Sequence, residues 1–293
     1  MSSSIMNVTI IGAGGKMGAW FTNYFVKQKH RVFVHDVNKE SLKKLKSPKI
    51  SIANDLKFTL MKSDVVILCV PINSMKRVLL QVAKYMMIGA TLMEISSIKY
   101  EAHKTLTEVA HMYKLKPLCV HPLFGPGAEN IKGMKVALIP VLDARAELRN
   151  ARKILRGASL AMVDVKDHDK IVALVLGLTH LINAILAKIM SDEREPRRFK
   201  EIAGSTYRLQ SLLTESILND EPELFTSLLM SNSYTKQYAR NLLETTQRLC
   251  NYILNDNSRG LYKDYVKIRD KLSQQIDLEK SYQTMYEVLK MLK

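Results

Sequence analysis

Two stretches of this chain carry residue types that could do chemistry. The first is LCVHPLFGPG, Leu118 to Gly127. A short apolar run delivers an imidazole, His121, into a segment with two prolines and two glycines. An imidazole titrates near neutrality, so it can take or give a proton where few side chains can. Pro122 and Pro126 stiffen the loop beyond it. The second stretch is GAGGKMG, Gly12 to Gly18, directly after the apolar run VTII. Its glycines let the backbone turn tightly and let a pyrophosphate approach the N–H groups of a starting helix. The spacing departs from the simple GxGxxG. Gly12, Gly14 and Gly18 give GxGxxxG, while Ala13, Gly15 and Gly18 give AxGxxG.

RVFVHD then ends in Asp36, roughly twenty residues on, where a dinucleotide fold places the carboxylate that bonds the adenosine ribose hydroxyls. A carboxylate there repels a 2′-phosphate. NAD is therefore favoured over NADP, a preference that Lys39 softens. The expected cofactor residues are Gly12, Gly14, Gly15, Lys16, Met17, Gly18, Asp36 and, past a later strand, Pro71.

These groups need elements to hold them. NVTIIG, HRVFVHD, DVVILCVP, TLMEISS, KPLCVHP, KVALIPV and LAMVDV read as strands. Most are continuously apolar, as strands covered on both faces of a parallel sheet are. Helical patterns lie between several of them, at Ser74 to Lys84 and Tyr100 to Met112. Alternating strand and helix predict an α/β fold with a doubly wound, Rossmann-type sheet. Ligands in such sheets bind outside the carboxyl ends of the strands. By that rule Ser96, Ser97, Lys99 and His121 emerge at the cofactor crevice.

Glycine and proline thin out after residue 160, and from about Asp167 the pattern is helical. Ile171 to Met190 is apolar on most of its circumference. It is interrupted by Gly177, His180, Asn183 and Lys188, so it is expected as the buried central helix of a bundle or a dimer interface rather than a membrane span. Asp167 is its expected N-cap. The expected domains are residues 1–166, binding the dinucleotide, and 167–293, all helical.

Bulk composition narrows the class further. The 293 residues hold 47% hydrophobic and 25% charged side chains, which fits a soluble globular protein. Three cysteines, Cys69, Cys119 and Cys250, share no CxxC spacing. That argues against a disulfide framework or a metal site and for the reducing cytoplasm. No signal peptide is evident at the N-terminus. The net charge of +16 is spread over the chain without a tract. It points to anionic small molecules rather than nucleic acid or a membrane.

Taken together, GAGGKMG, SSIK, HPLFGP, the His168-Asp169 pair, LTHLINA and STYRLQSLLTESILNDEPELF, in this order, resemble the prephenate dehydrogenase family of tyrosine biosynthesis. The resemblance spans residues 6 to 250 and favours the monofunctional form. It implies a Rossmann domain followed by a helical dimerisation domain, and a homodimer. It also implies NAD-dependent oxidative decarboxylation of prephenate, or of its amino analogue arogenate. In that family His121 falls on the catalytic histidine that accepts a hydrogen bond from the substrate hydroxyl. Ser97 falls on a serine touching both. Arg208 falls on the arginine that binds a substrate carboxylate, and His180 on a second histidine near the substrate. His168-Asp169 is expected to help start the long helix. Many relatives carry an acidic residue six positions beyond the catalytic histidine, where this chain has Gly127, with Glu129 the nearest carboxylate. Two other readings remain open. One is a related two-domain dehydrogenase acting on hydroxy or imino acids. The other is a nucleotide-sensing regulator without catalysis, which would be expected to have lost His121 or Arg208.

Overall fold

The computed structural model describes residues 4–45 and 47–291, leaving aside the side chains of residues 196, 197 and 200. Eight strands form one sheet: β1 (Asn7–Ile11), β2 (Arg31–His35), β3 (Ile50–Ile52), β4 (Val65–Leu68), β5 (Thr91–Glu94), β6 (Lys116–Pro122), β7 (Lys135–Ile139) and β8 (Ser159–Met162). Their order is β3-β2-β1-β4-β5-β6-β7-β8. The reversal beside β1, between β2 and β4, is the switch point at which doubly wound sheets open a crevice. Six helices connect the strands and follow the sheet: α1 (Lys16–Lys27), α2 (Leu56–Leu60), α3 (Ile72–Ala83), α4 (Tyr100–Tyr113), α5 (Ala144–Ile154) and α6 (Val165–Val172). One face of the sheet packs Phe21 and Phe25 of α1 onto Val8, Ile10 and Ile67. The other packs Met75 and Leu79 of α3, with Leu106 of α4, onto Val66, Leu68 and Leu92. Burial on both faces explains why these strands are continuously apolar.

All seven expected strands form, and two features differ from expectation. Strand β3 is additional: it has three residues, two of them exposed. Strand β7 runs antiparallel to β6, pairing His121 with Ala137 and Pro122 with Val136. His121 therefore lies inside a strand, beyond the point where β5 stops pairing at Glu94–Cys119. The pairing with β7, more than the prolines, fixes its backbone.

Contacts divide the chain into two compact units. The first comprises residues 1–172 with 226–232, and the second residues 173–225 with 233–293. The second unit is helical, built from α7 (Thr179–Ser191), α8 (Pro196–Glu201), α9 (Ser205–Ile217), the start of α10 (Pro222–Met230), α11 (Thr235–Leu254), α12 (Ser258–Ser273) and α13 (Leu278–Met291). The remainder of α10 belongs to the first unit, where the Asn73 amide bonds Ser227 Oγ at 3.1 Å.

The N-cap of α6 is Asp164 rather than Asp167. Its Oδ1 accepts the N–H groups of Lys166 and Asp167 at 2.9 and 3.0 Å. A shorter turn to the helix leaves Asp167 already inside the first turn. Beyond α6 the backbone widens into a π-helical stretch, Ala173–Leu178, before α7. Val165–Ser191 is long and apolar enough to cross a membrane, and 28% of its most apolar window is buried. Ile171, Leu174, Val175, Ile182, Ile185 and Ile189 are exposed. The helix expected to be buried is thus largely uncovered.

Candidate functional site

The first turn after β1 is shaped by Gly12 and Gly18. Gly12 has φ +81°, and a Cβ there would collide with the Cys69 carbonyl oxygen. A Cβ on Gly18 would collide with the Gly12 carbonyl, so the two glycines bring strand, turn and helix together. Gly12 and Ala13 donate their N–H groups to the His35 carbonyl, which ties the turn to β2. Asp36 completes it: Oδ2 accepts the Gly14 N–H at 2.9 Å and Oδ1 the Asn38 N–H at 2.9 Å. Each carboxylate oxygen keeps a further lone pair for an external hydroxyl. Helix α1 opens with Gly15 as N-cap, without a side-chain cap and without an acidic residue in its first turn. Its positive end is thus left for an external anion.

A cleft of about 740 Å³ lies against this turn. Gly12, Gly14, Gly15, Asp36 and Pro71 form part of its wall, while Lys16, Met17 and Gly18 do not. Lys16 and Met17 open α1, and Gly18 is buried beneath the turn. Sequence reasoning misses Ser41, Lys57, Arg77, Gln81 and Tyr85, which also line it. The amphipathic pattern of α3 could have revealed Arg77 and Gln81. The flanking of Tyr85 by Lys57 and Lys84, at 5.3 and 5.0 Å from its ring centre, is a tertiary feature. A Gly-shaped turn, a helix N-terminus without its own anion, a carboxylate with spare lone pairs and a roomy cationic cleft fit a dinucleotide.

Near the carboxyl ends of β5 and β6 lies a buried polar cluster. Lys99 is wholly buried, and its Nζ donates to Glu94 Oε1 and to the Val120 carbonyl, both at 2.6 Å. Glu94 Oε2 accepts the Ser96 N–H at 2.9 Å and its hydroxyl at 2.6 Å. Cys119 Sγ sits 2.9 Å from Glu94 Oε1, and burial pushes its thiol pKa well up. Ser96 is thereby committed to the turn. Ser97, half-buried, has no hydrogen-bond partner among the described residues. That separates the two neighbouring serines physically.

His121 is 6% exposed, and its Nδ1 lies 3.0 Å from His168 Nε2. His168 Nδ1 lies 2.9 Å from Asp169 Oδ1. Asp169 also accepts the N–H groups of Lys99 and Tyr100, each at 2.9 Å. The Asn232 amide donates to the Asp169 carbonyl at 2.7 Å. The pair expected to start a helix therefore reaches His121 instead, a link that no sequence spacing announces. Burial and the Lys99 ammonium hold the His121 pKa well below the ordinary imidazole value. His121 is thus a neutral base at neutral pH. The loop beyond it is held by Trp20, which donates to the Ala128 carbonyl at 2.6 Å and packs on Phe124 with ring centres 5.0 Å apart.

His180 and Arg208 lie in the helical unit, on α7 and α9. His180 Nδ1 is 2.8 Å from the Leu176 carbonyl, and its Nε2 is 3.7 Å from Asp220. Arg208 is exposed. Asn183 Oδ1 joins the two helices by accepting from Gln210 and Thr214 at 2.8 and 2.7 Å.

The sheet order and the cleft define a Rossmann-type nucleotide-binding protein with a helical second part. Comparison with known proteins narrows this class. The family profile described as prephenate dehydrogenase, nucleotide-binding domain, matches residues 24–157, and that of the prephenate dehydrogenase dimerization domain matches residues 164–268. The chain belongs to the prephenate dehydrogenase family. It is 27% identical over 274 residues to a probable arogenate/prephenate dehydrogenase of Methanocaldococcus jannaschii, covering 90% of this chain and 60% of that protein. The chain thus spans less than two thirds of that relative's length. Among solved structures it resembles prephenate dehydrogenase from A. aeolicus in complex with hydroxyphenyl propionate and NAD+ (TM-score 0.73, 18% identity, 94% of this chain and 99% of the other). It also resembles Synechocystis arogenate dehydrogenase (TM-score 0.65, 18% identity, 92% and 100%).

Proposed function

We propose that the chain is an NAD-dependent dehydrogenase that oxidatively decarboxylates prephenate to 4-hydroxyphenylpyruvate. Residues 1–166 would serve as the dinucleotide domain. Residues 167–293 would serve as the substrate and dimerisation domain of a cytoplasmic homodimer. The observation that carries the reading is His121, a buried imidazole kept neutral and held at the carboxyl end of the sheet. A base of this kind suits removal of a hydroxyl proton while the carbinol carbon is oxidised.

The bound nicotinamide supplies the hydride acceptor. His121 accepts the proton of the ring hydroxyl, and the half-buried Ser97 hydroxyl orients that group. Arg208 offers a guanidinium fork to a substrate carboxylate. His180, whose Nδ1 is held by the Leu176 carbonyl, is the second histidine proposed to contact the substrate. Loss of the ring carboxylate as carbon dioxide leaves an aromatic ring, which makes the step irreversible. Asp36 takes the ribose hydroxyls, and Pro71 with the glycine turn forms the cofactor wall. Prephenate is preferred to arogenate on charge: it is the more anionic of the two, and the chain carries a net charge of +16. Gly127 adds no carboxylate to pair with an amino group, and it is exposed.

The test is a steady-state assay of purified protein with prephenate and with arogenate, each with NAD and with NADP. The expected result is the highest kcat/KM for prephenate with NAD. A higher value for arogenate would reassign the substrate, and no turnover of either would remove the reading.

A further inference from the structure

We infer that His168 and Asp169 are positioning residues that lock His121 into the tautomer able to accept a proton at Nε2. The inference rests on the proposed reading only in its second test. The donors around Asp169 fix where each hydrogen sits. The Asp169 carboxylate receives three N–H donors: the Lys99 and Tyr100 amides and His168 Nδ1, each at 2.9 Å. An ionised carboxylate only accepts, so His168 must carry its hydrogen on Nδ1. We take His168 as neutral, with that single N–H, which leaves a lone pair on His168 Nε2. That lone pair faces His121 Nδ1 at 3.0 Å, so His121 must donate from Nδ1. Its Nε2 is then the free acceptor. No other hydrogen bond to His121 occurs among the described side chains.

The chain is anchored where a tautomer switch would be costly. His168 and Asp169 are 3% and 4% exposed. A flip of His168 would set two lone pairs against each other at Asp169 and two N–H groups against each other at His121, each an unsatisfied buried contact. The charged and titratable groups around His121 favour the same state. Burial and Lys99 at the start of α4 both disfavour a charged imidazole. Glu94 is engaged by Lys99, Ser96 and Cys119, and β7 places the apolar Ala137 opposite His121. When His121 takes a proton, the Asp169 carboxylate stabilises the imidazolium through His168. The same network thus orients the base and supports the charge that forms on it.

Two measurements test this. The first needs no substrate: ¹⁵N spectra of histidine-labelled protein above pH 7, assigned by loss of signals in His121→Asn and His168→Gln. Both residues should show the Nδ1–H tautomer. An Nε2–H His121 would overturn the inference while leaving the proposed reaction standing. The second is kinetic. His168→Ala should lower kcat by about 10²–10⁴-fold with substrate KM nearly unchanged. His168→Gln, whose amide can still accept from His121, should recover at least about tenfold of that loss. Equal losses in the Ala and Gln variants, or a substrate KM that rises as far as kcat falls, would make the pair merely structural. An inactive wild-type protein with the expected tautomers would sink the proposed reaction and not the inference.

Discussion

Replacing Lys99 by Met removes a buried cation and nothing else of comparable size. In the wild type the ammonium lies 2.6 Å from Glu94 Oε1, and both side chains are 0% exposed. The variant leaves the Glu94 carboxylate in the interior with only the Ser96 N–H, the Ser96 hydroxyl and the Cys119 thiol as donors. Breaking one side of a buried pair costs about 3–5 kcal/mol. For a unit of this size each kcal/mol lowers Tm by about 2–4 °C, so a fall of roughly 6–20 °C is expected. Urea unfolding and a thermal scan would read it. The deficit should shrink as pH falls, because a protonated carboxyl needs no counter-cation. The double variant Lys99→Met/Glu94→Gln should regain much of the loss, since the uncompensated charge is gone. The same substitution removes the second-largest cause of the lowered His121 pKa, so the acid limb of activity should move to higher pH. A loss under about 1 kcal/mol, or no recovery in the double variant, would refute the claim that this pair is a coupled buried unit.

Four further outcomes are expected. Asp36→Asn should raise the KM for NAD and narrow the gap to NADP, because a carboxylate with two backbone donors and two spare lone pairs is replaced by a group that no longer repels a 2′-phosphate; unchanged cofactor discrimination would remove Asp36 from the site. Arg208→Ala should raise substrate KM by about ten- to a hundredfold, in line with the ~1.5–3 kcal/mol of a charged hydrogen bond, with the KM for NAD unmoved. The acid limb of kcat/KM in the wild type should lie below the ordinary imidazole range, since the base is active when neutral and its pKa is lowered. By the same sign, the share of stability tied to neutral His121 is complete above the unfolded imidazole pKa and is lost as pH falls through the lower folded one. Light scattering at micromolar concentration should give roughly twice 33.3 kDa, as two copies cover the exposed face of Val165–Ser191; a clean monomer would contradict it.

The sheet is legible in the sequence because β1, β4, β5 and β6 are buried on both faces, and double burial writes itself as an unbroken apolar run. The direction of β7 is not legible for the same reason, since an apolar run looks alike in either direction. Strand β3 leaves no signal because Ser51 and Ile52 are exposed and three residues set no pattern. The glycine turn and Asp36 can be read in advance, since close backbone approach limits the residue types that fit. The link from His121 to His168 and Asp169 cannot. His121 and His168 are 47 positions apart, and the hydrogen bond exists only once α6 packs beside β6. Ser96 and Ser97 are equivalent in the sequence, and only the Glu94 carboxylate beneath the turn distinguishes them. The exposed face of Val165–Ser191 reads as buried because apolarity alone does not tell a covered surface from an exposed one.

The role proposed for His121, as the base of an NAD-linked oxidation of prephenate, rests on the basicity of its imidazole. The most direct measurement follows NADH formation from prephenate by wild type and His121→Asn across the acid limb. Asn keeps the size and polarity of the side chain and loses its basicity. The account predicts a kcat lower by about 10²–10⁴-fold, a substrate KM that changes far less, and loss of the acid limb in the variant. A variant with near-normal kcat and the wild-type acid limb would contradict it.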